Sequence, residues 1–272
     1  VLLFLSSIMC QDGQHHAPEF CLNKNIQVFS TGIFFDTLHF AREISLKIKE
    51  PILPDRIYFP SKNFENEFAR ISGIDFKSKS ESLGSPLYDH AMFIERPERN
   101  RKSISFLTTL QHLVPKDMQL EIEELVRFCN NNNVEFVMKS KQKTPWVFID
   151  KNLKVPETNL EKGFPYTSLS MILNTDIHIS SYSTSACESR YFGKPCVNLE
   201  SVENKKLTPA VASIKNQYEL GNLFNSHQCK TVSSNLKEAV FEMIDKEYSA
   251  ESIPNVLDNS SIRILSDVAK LL

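Results

Sequence analysis

Short apolar runs alternate with segments of helical hydrophobic period along most of this chain, and a chain written that way folds as strands of a parallel sheet covered by helices. Arg56 to Phe59 reads as a strand, and Lys62 to Ile71 as a helix ended by Gly73 in the position of a C′ glycine. Ile104 to Leu107 starts a second series. It continues with a helix from Lys116 to Asn130, whose apolar stripe is Met118, Ile122, Leu125, Val126 and Cys129, and a strand from Val134 to Met138. A helix over Tyr166 to Leu173, a strand over Ile177 to Ser180, a helix over Thr184 to Phe192 closed by Gly193, and a strand over Cys196 to Leu199 complete it. Upstream, Val1 to Cys10 reads as a buried strand, Ile26 to Ser30 as a strand and Phe34 to Lys49 as a helix; downstream, Leu236 to Lys246 and Ser261 to Leu271 read as helices.

With 272 residues the chain is longer than a usual single domain, and two domains are expected. The charged, proline-bearing stretch ERPERNRK, Glu95 to Lys102, is the best boundary, giving ranges of 1–95 and 96–272. The chain has no initiator Met and opens inside a hydrophobic run, as a fragment with an incomplete first domain would. Lys and Arg number 31 against 33 Asp and Glu, so the formal charge of −2 gives no global reason to expect nucleic acid as a partner. Any anion must be met locally. The six cysteines, Cys10, Cys21, Cys129, Cys187, Cys196 and Cys229, form no Cys-x-x-Cys pair or zinc-finger spacing and read as reduced thiols. The apolar opening is far short of the roughly 20 residues of a membrane-spanning helix and lacks the flanks of a signal peptide, so a cytoplasmic location is expected.

The most informative segment is DIHISSYSTSACESRYFGKPCVNL, Asp176 to Leu199. A buried strand there ends in Ser180, Ser181, Ser183, Thr184 and Ser185, which bring hydroxyls and amides to the start of a helix. A helix start carries about half a unit of positive charge and several unpaired N–H groups, which suits a phosphate. Open parallel sheets bind ligands outside the carboxyl ends of their strands, where this loop would lie. Glu188, one turn on, is placed to accept hydrogen bonds from a ribose. An ordinary N-cap followed by an acidic residue in the first turn accounts for the same letters.

This segment resembles the donor-site strand, loop and helix of GT-B glycosyltransferases and their relatives, the UDP-GlcNAc 2-epimerases and the glycerophosphotransferases of surface-polymer synthesis. The resemblance extends through PDRIYFPSKNFENEF (Pro54 to Phe68), the crossover-like LGSPLYD (Leu83 to Asp89) and ISFLTTLQHL (Ile104 to Leu113), in that order. It implies two Rossmann-like α/β domains facing a cleft, with the last helix packing back on the N-terminal domain. It makes Ser183, Thr184 and Ser185 the diphosphate contacts and Glu188 the ribose contact; Lys139 or Lys141, after the strand ending near Met138, and His112, in the loop after the first strand of the second series, are further candidates for phosphate contact. The donor is a nucleotide-diphosphate sugar, and the acceptor a glycan or lipid-linked hydroxyl in glycan or surface-polysaccharide synthesis, soluble or at the inner face of a membrane. No cofactor and no metal are required.

A base is expected from the N-terminal side, where QDGQHH offers Asp12, His15 and His16, partly matching a Gln-His-Gly of related transferases. The sequence departs from the surface-polymer enzymes in lacking a His-Pro pair after Lys139, and from the epimerases in lacking Ser-Gly-Gly and a Glu-Glu pair. Sugar transfer is therefore favoured over epimerisation, with a non-catalytic partner subunit as the alternative of a different class. His178, within a buried strand, reads as a satisfied core histidine, Asp89 as a crossover residue, and Trp146 as packing beside a loop or as a stacking surface for a base or sugar.

Overall fold

The computed structural model describes residues 2–5, 27–31, 54–76, 78–94, 98, 100–108, 111–140, 145–155, 167–181, 183, 185–199, 228–248, 250 and 259–272. The expected helix over Phe34 to Lys49 lies outside these residues. The chain forms two compact units, one of residues 1–92 with 252–272 and one of 93–251. Residues 252–272, which the range 96–272 would put in the second domain, thus belong with the first.

The first unit holds a four-stranded parallel sheet in the order β1 (Leu2–Leu5), β2 (Gln27–Thr31), β3 (Arg56–Phe59), β4 (Ser80–Ser82). Helix α1 (Lys62–Ser72) starts where the Ser61 hydroxyl accepts the Phe64 amide and stops at Gly73, whose φ of 70° is the left-handed turn a glycine adopts cheaply. Phe59, Phe64, Phe68 and Phe76 pack their rings together beneath it. Strand β4 has no apolar residue and was not expected from the sequence. It forms because its backbone pairs with β3 while the hydroxyls of Ser80 and Ser82 donate to the buried Glu65 carboxylate at 2.8 and 2.6 Å. Those bonds and the Lys62 ammonium outweigh burial and hold the Glu65 carboxyl below its ordinary range.

The final helix, α6 (Ser260–Leu271), is fastened to this unit by side chains far away in sequence. Asp89 accepts the Ser260 and Ser261 amides at 2.8 and 2.9 Å and the Ser261 hydroxyl at 2.6 Å, and Asn259 caps the same end. Asp267 accepts from Arg56 Nε at 3.2 Å and the Tyr58 hydroxyl at 3.0 Å, and Ile264 and Val268 pack on Phe29 and Tyr58. The first turn of this helix lies against Gly84, where a Cβ would collide with Ser260 Oγ.

The second unit holds a five-stranded parallel sheet of β5 (Ser103–Leu107), β6 (Glu135–Lys139), β7 (Ile177–Ser181), β8 (Cys196–Leu199) and β9 (Cys229–Val232), in the order β6-β5-β7-β8-β9. Helices α2 (Lys116–Asn131) and α5 (Leu236–Met243) cover one face, and α3 (Thr167–Asn174) and α4 (Ser185–Tyr191) the other. The α2–α5 face is apolar: Phe106, Met138, Ile179, Val197 and Leu199 meet Met118, Ile122, Leu125 and Val240. Trp146 packs there too, edge-on to Phe106 at 5.1 Å, so it fills core and offers no stacking surface to a base. The opposite face is polar at its centre, where register aligns Ser105, His178, Cys196 and Cys229 side by side. All four are fully buried. Cys129, Cys187, Cys196 and Cys229 are free thiols; burial pushes the first up to about 12 and raises that of Cys196.

Burial pushes the His178 imidazole pKa down to about 3, so it is neutral in the folded protein. The unfolded chain takes up this proton near pH 6.5, so stability is full above that pH and falls as pH drops toward 3, by on the order of 5 kcal/mol across the window. His178→Gln should flatten this dependence relative to the parent when denaturant midpoints are compared at pH 7 and 4.5; parallel curves would refute it. Asp89→Ala should lower stability by about 2 kcal/mol, read by thermal or denaturant unfolding, because three donors at the start of α6 lose one acceptor.

Candidate functional site

All five strands of the second sheet run the same way, so the segments after β5, β6 and β7 leave at one edge. Strand order reverses at β5: the chain passes from β5 to β6 on one side and then returns to β7 on the other. The helix after β5 lies on the apolar face and the helix after β7 on the polar face, so the carboxyl ends of β5 and β7 form the switch point at which open α/β sheets hold their ligands. The serine-rich turn 181–185 is at that point. Beside it stand Thr108, which follows β5 and is hydrogen-bonded through its amide to the Lys139 carbonyl at 3.0 Å, and Lys139, the last residue of β6. Thr108 is buried, and its hydroxyl has no partner among the described residues. Its significance was not read from the sequence, since one threonine after a strand carries no pattern.

The sequence-derived candidates divide as follows. Ser183 is half-buried; its Oγ accepts the Ser185 amide at 3.3 Å, and no acceptor among the described residues takes its own proton. Glu188 lies half-buried in the first turn of α4, Lys139 is half-buried, and His112 is exposed in the short turn Gln111–Leu113. Thr184, Lys141, Asp12, His15 and His16 lie outside the described residues.

Ser185 departs from expectation. It is only 3% exposed, and its Oγ lies 2.9 Å from His178 Nε2 and 3.2 Å from Ser180 Oγ. The hydroxyl faces the sheet, where it satisfies a buried imidazole, and does not face a diphosphate. The amides are also less free than a bare helix start suggests: Ser183 engages the Ser185 amide through Oγ and the Ala186 amide through its carbonyl, at 3.3 and 3.2 Å. Lys194, of the Gly-Lys-Pro stretch, donates to the Thr175 carbonyl at 3.0 Å, a bond across the far end of the sheet. At Gly193, with φ of 69°, a Cβ would stand 2.6 Å from the Tyr248 carbonyl oxygen and 2.8 Å from the Ala250 nitrogen, so the turn between α4 and β8 admits only glycine.

No three His, Cys, Asp or Glu side chains gather to hold a metal ion among the described residues. None of the described helices is long and apolar enough to cross a membrane.

No protein-family model and no curated protein matches the chain. Solved structures do match in fold. The UDP-GlcNAc 2-epimerase of Methanocaldococcus jannaschii is 14% identical, with a TM-score of 0.55 over 98% of this chain and 76% of that one. The UDP-GlcNAc 2-epimerase of Neisseria meningitidis bound to UDP-GlcNAc is 13% identical, with a TM-score of 0.54 over 99% of this chain and 76% of that one. Accessory secretory protein 1, 2 and 3 of Streptococcus pneumoniae gives 11% identity and a TM-score of 0.51 over 99% of this chain and 52% of that one. Two α/β units with parallel sheets, and this likeness across nearly the whole chain, give it the GT-B fold that it shares with the UDP-GlcNAc 2-epimerases.

Proposed function

We propose that this protein is a glycosyltransferase that moves a sugar from a nucleotide-diphosphate donor to a hydroxyl acceptor in glycan or surface-polysaccharide synthesis. The observation that carries the reading is the position of the serine turn: it follows β7 at the reversal of strand order in the second sheet of a GT-B fold. Ser183 donates its unused proton to a diphosphate oxygen, Glu188 accepts from the ribose hydroxyls, and Lys139, Lys141, Thr184 and His112 add charge and donors around the phosphates. The acceptor oxygen attacks the anomeric carbon, the bond to the nucleoside diphosphate breaks, and the acceptor proton passes to a base. Asp12, His15 and His16 are assigned to that role on the QDGQHH resemblance. Leaving-group charge is met by hydroxyls and lysines, with no metal and no further cofactor.

A second reading, epimerisation of UDP-GlcNAc, is favoured by the fold shared with the two epimerases. Against it stand Tyr182 to Ser185 where the epimerases have Ser-Gly-Gly, and Ser189 after Glu188 in place of a second Glu.

Thermal unfolding in the presence of UDP, GDP, CDP, CMP and ADP should show stabilisation by one nucleoside diphosphate, about 2.7 kcal/mol at 100 times its dissociation constant. Glu188→Ala should weaken that binding about tenfold with the fold intact, the loss of roughly 1.4 kcal/mol of charge-assisted hydrogen bonding; unchanged affinity removes Glu188 from the site. Turnover of the matching nucleotide sugar should require an acceptor and survive EDTA. Conversion of UDP-GlcNAc without an acceptor would establish the epimerase reading instead. Replacement of both His15 and His16 by Ala should abolish transfer while leaving nucleotide affinity unchanged, and full turnover would clear both residues of the base role.

A further inference from the structure

A chain of hydrogen-bonding groups runs along β7 from its start to the serine turn. Thr175 Oγ1 lies 2.8 Å from Ser105 Oγ, which lies 3.1 Å from His178 Nδ1; His178 Nε2 lies 2.9 Å from Ser185 Oγ. Ser185 Oγ is 3.2 Å from Ser180 Oγ, and Ser180 Oγ donates to the Ser183 carbonyl at 3.3 Å. Thr175, Ser105, His178, Ser180 and Ser185 are all buried, so none can exchange a partner for bulk water.

The protons can be counted. A neutral imidazole has one donor and one acceptor nitrogen, and each hydroxyl has one proton. Thr175 Oγ1 has two acceptors for its proton, Ser105 Oγ and the Met171 carbonyl, each at 2.8 Å, so Ser105 can pass its own proton to His178 Nδ1 or to Thr175 and the network closes in either polarity. In both, the imidazole bonds Ser105 through Nδ1 and Ser185 through Nε2, and Ser180 donates to the Ser183 carbonyl.

We infer that His178 is a positioning residue: its Nε2 bonds the Ser185 hydroxyl, and through Ser185 and Ser180 it fixes Ser183 in the geometry that meets the ligand. The identity of that ligand, a nucleoside diphosphate, rests on the proposed function; the ordering of the turn does not. His178 is itself fully buried and acts only through the turn.

Two amides separate this role from plain packing. In His178→Gln the side-chain N–H₂ reaches the place of Nε2 and keeps the bond to Ser185. In His178→Asn the shorter amide reaches only the place of Nδ1, keeping Ser105 and losing Ser185. Each variant forfeits one hydrogen bond, so their stabilities should be similar. In the ligand-free protein, amide hydrogen exchange over 185–188 should be about tenfold faster in His178→Asn than in His178→Gln, with 104–106 alike, as a lost bond of about 1.4 kcal/mol gives. UDP affinity should fall by a similar factor in His178→Asn alone. Equal exchange at 185–188 in the two variants would overturn the inference. If UDP binds neither the parent nor the variants, the uridine form of the functional proposal falls, and the exchange comparison still decides the role of His178.

Discussion

Five strands that run the same way deliver all their carboxyl ends to one edge, so each connection after a strand of 93–251 starts from that edge. Parallel pairing also forces a covering helix between successive strands, and the side on which each helix returns decides where neighbouring connections diverge. They diverge between β5 and β7. The serine turn therefore owes its place less to its own composition than to the reversal of strand order beside it. Thr108 and Lys139 share that place for the same reason, although nothing in the local sequence links them.

The two faces of this sheet solve burial differently. On the face under α2 and α5, Phe106, Ile179, Val197 and their neighbours gain by leaving water, and any side chain of suitable volume serves. On the other face, hydroxyls and an imidazole are buried at a cost of about 1–3 kcal/mol each wherever a partner is missing. There the hydrogen bonds must be specific, and they select one arrangement of the turn. His178 is neutral for the reason that makes it useful: a site dry enough to depress its pKa also keeps water from replacing Ser105 or Ser185 as a partner.

In the first unit the long-range work falls to acids. Asp267 joins α6 to Arg56 and Tyr58 on β3, and Asp89 satisfies donors at the opposite end of the same helix. Both draw residues more than 170 positions apart into one packed layer with Ile264 and Val268. This is why the last helix belongs with the first unit despite its place in the chain.

Hydrophobic period alone determined most elements here: RIYF, the helix after Ser61 and the stripe of α2 differ from solvent-facing sequence by their spacing, which is a local property. The Ser-rich turn and its acidic neighbour also stood out locally. Other features required the fold. Ser80 to Ser82 has no apolar residue, and only pairing with β3 and the Glu65 carboxylate makes it a strand. The sequence presents Ser183 and Ser185 as equivalent hydroxyls; the turn sets one on the Ser185 amide and the other on His178, because the direction of a side chain at a strand-to-helix junction depends on backbone angles that no spacing encodes. Trp146 was open between stacking on a ligand and packing, and contact with Phe106 decided it. Period and composition are written in neighbours along the chain, whereas hydrogen-bond partners, strand order and the side to which a hydroxyl turns depend on residues brought together from far apart.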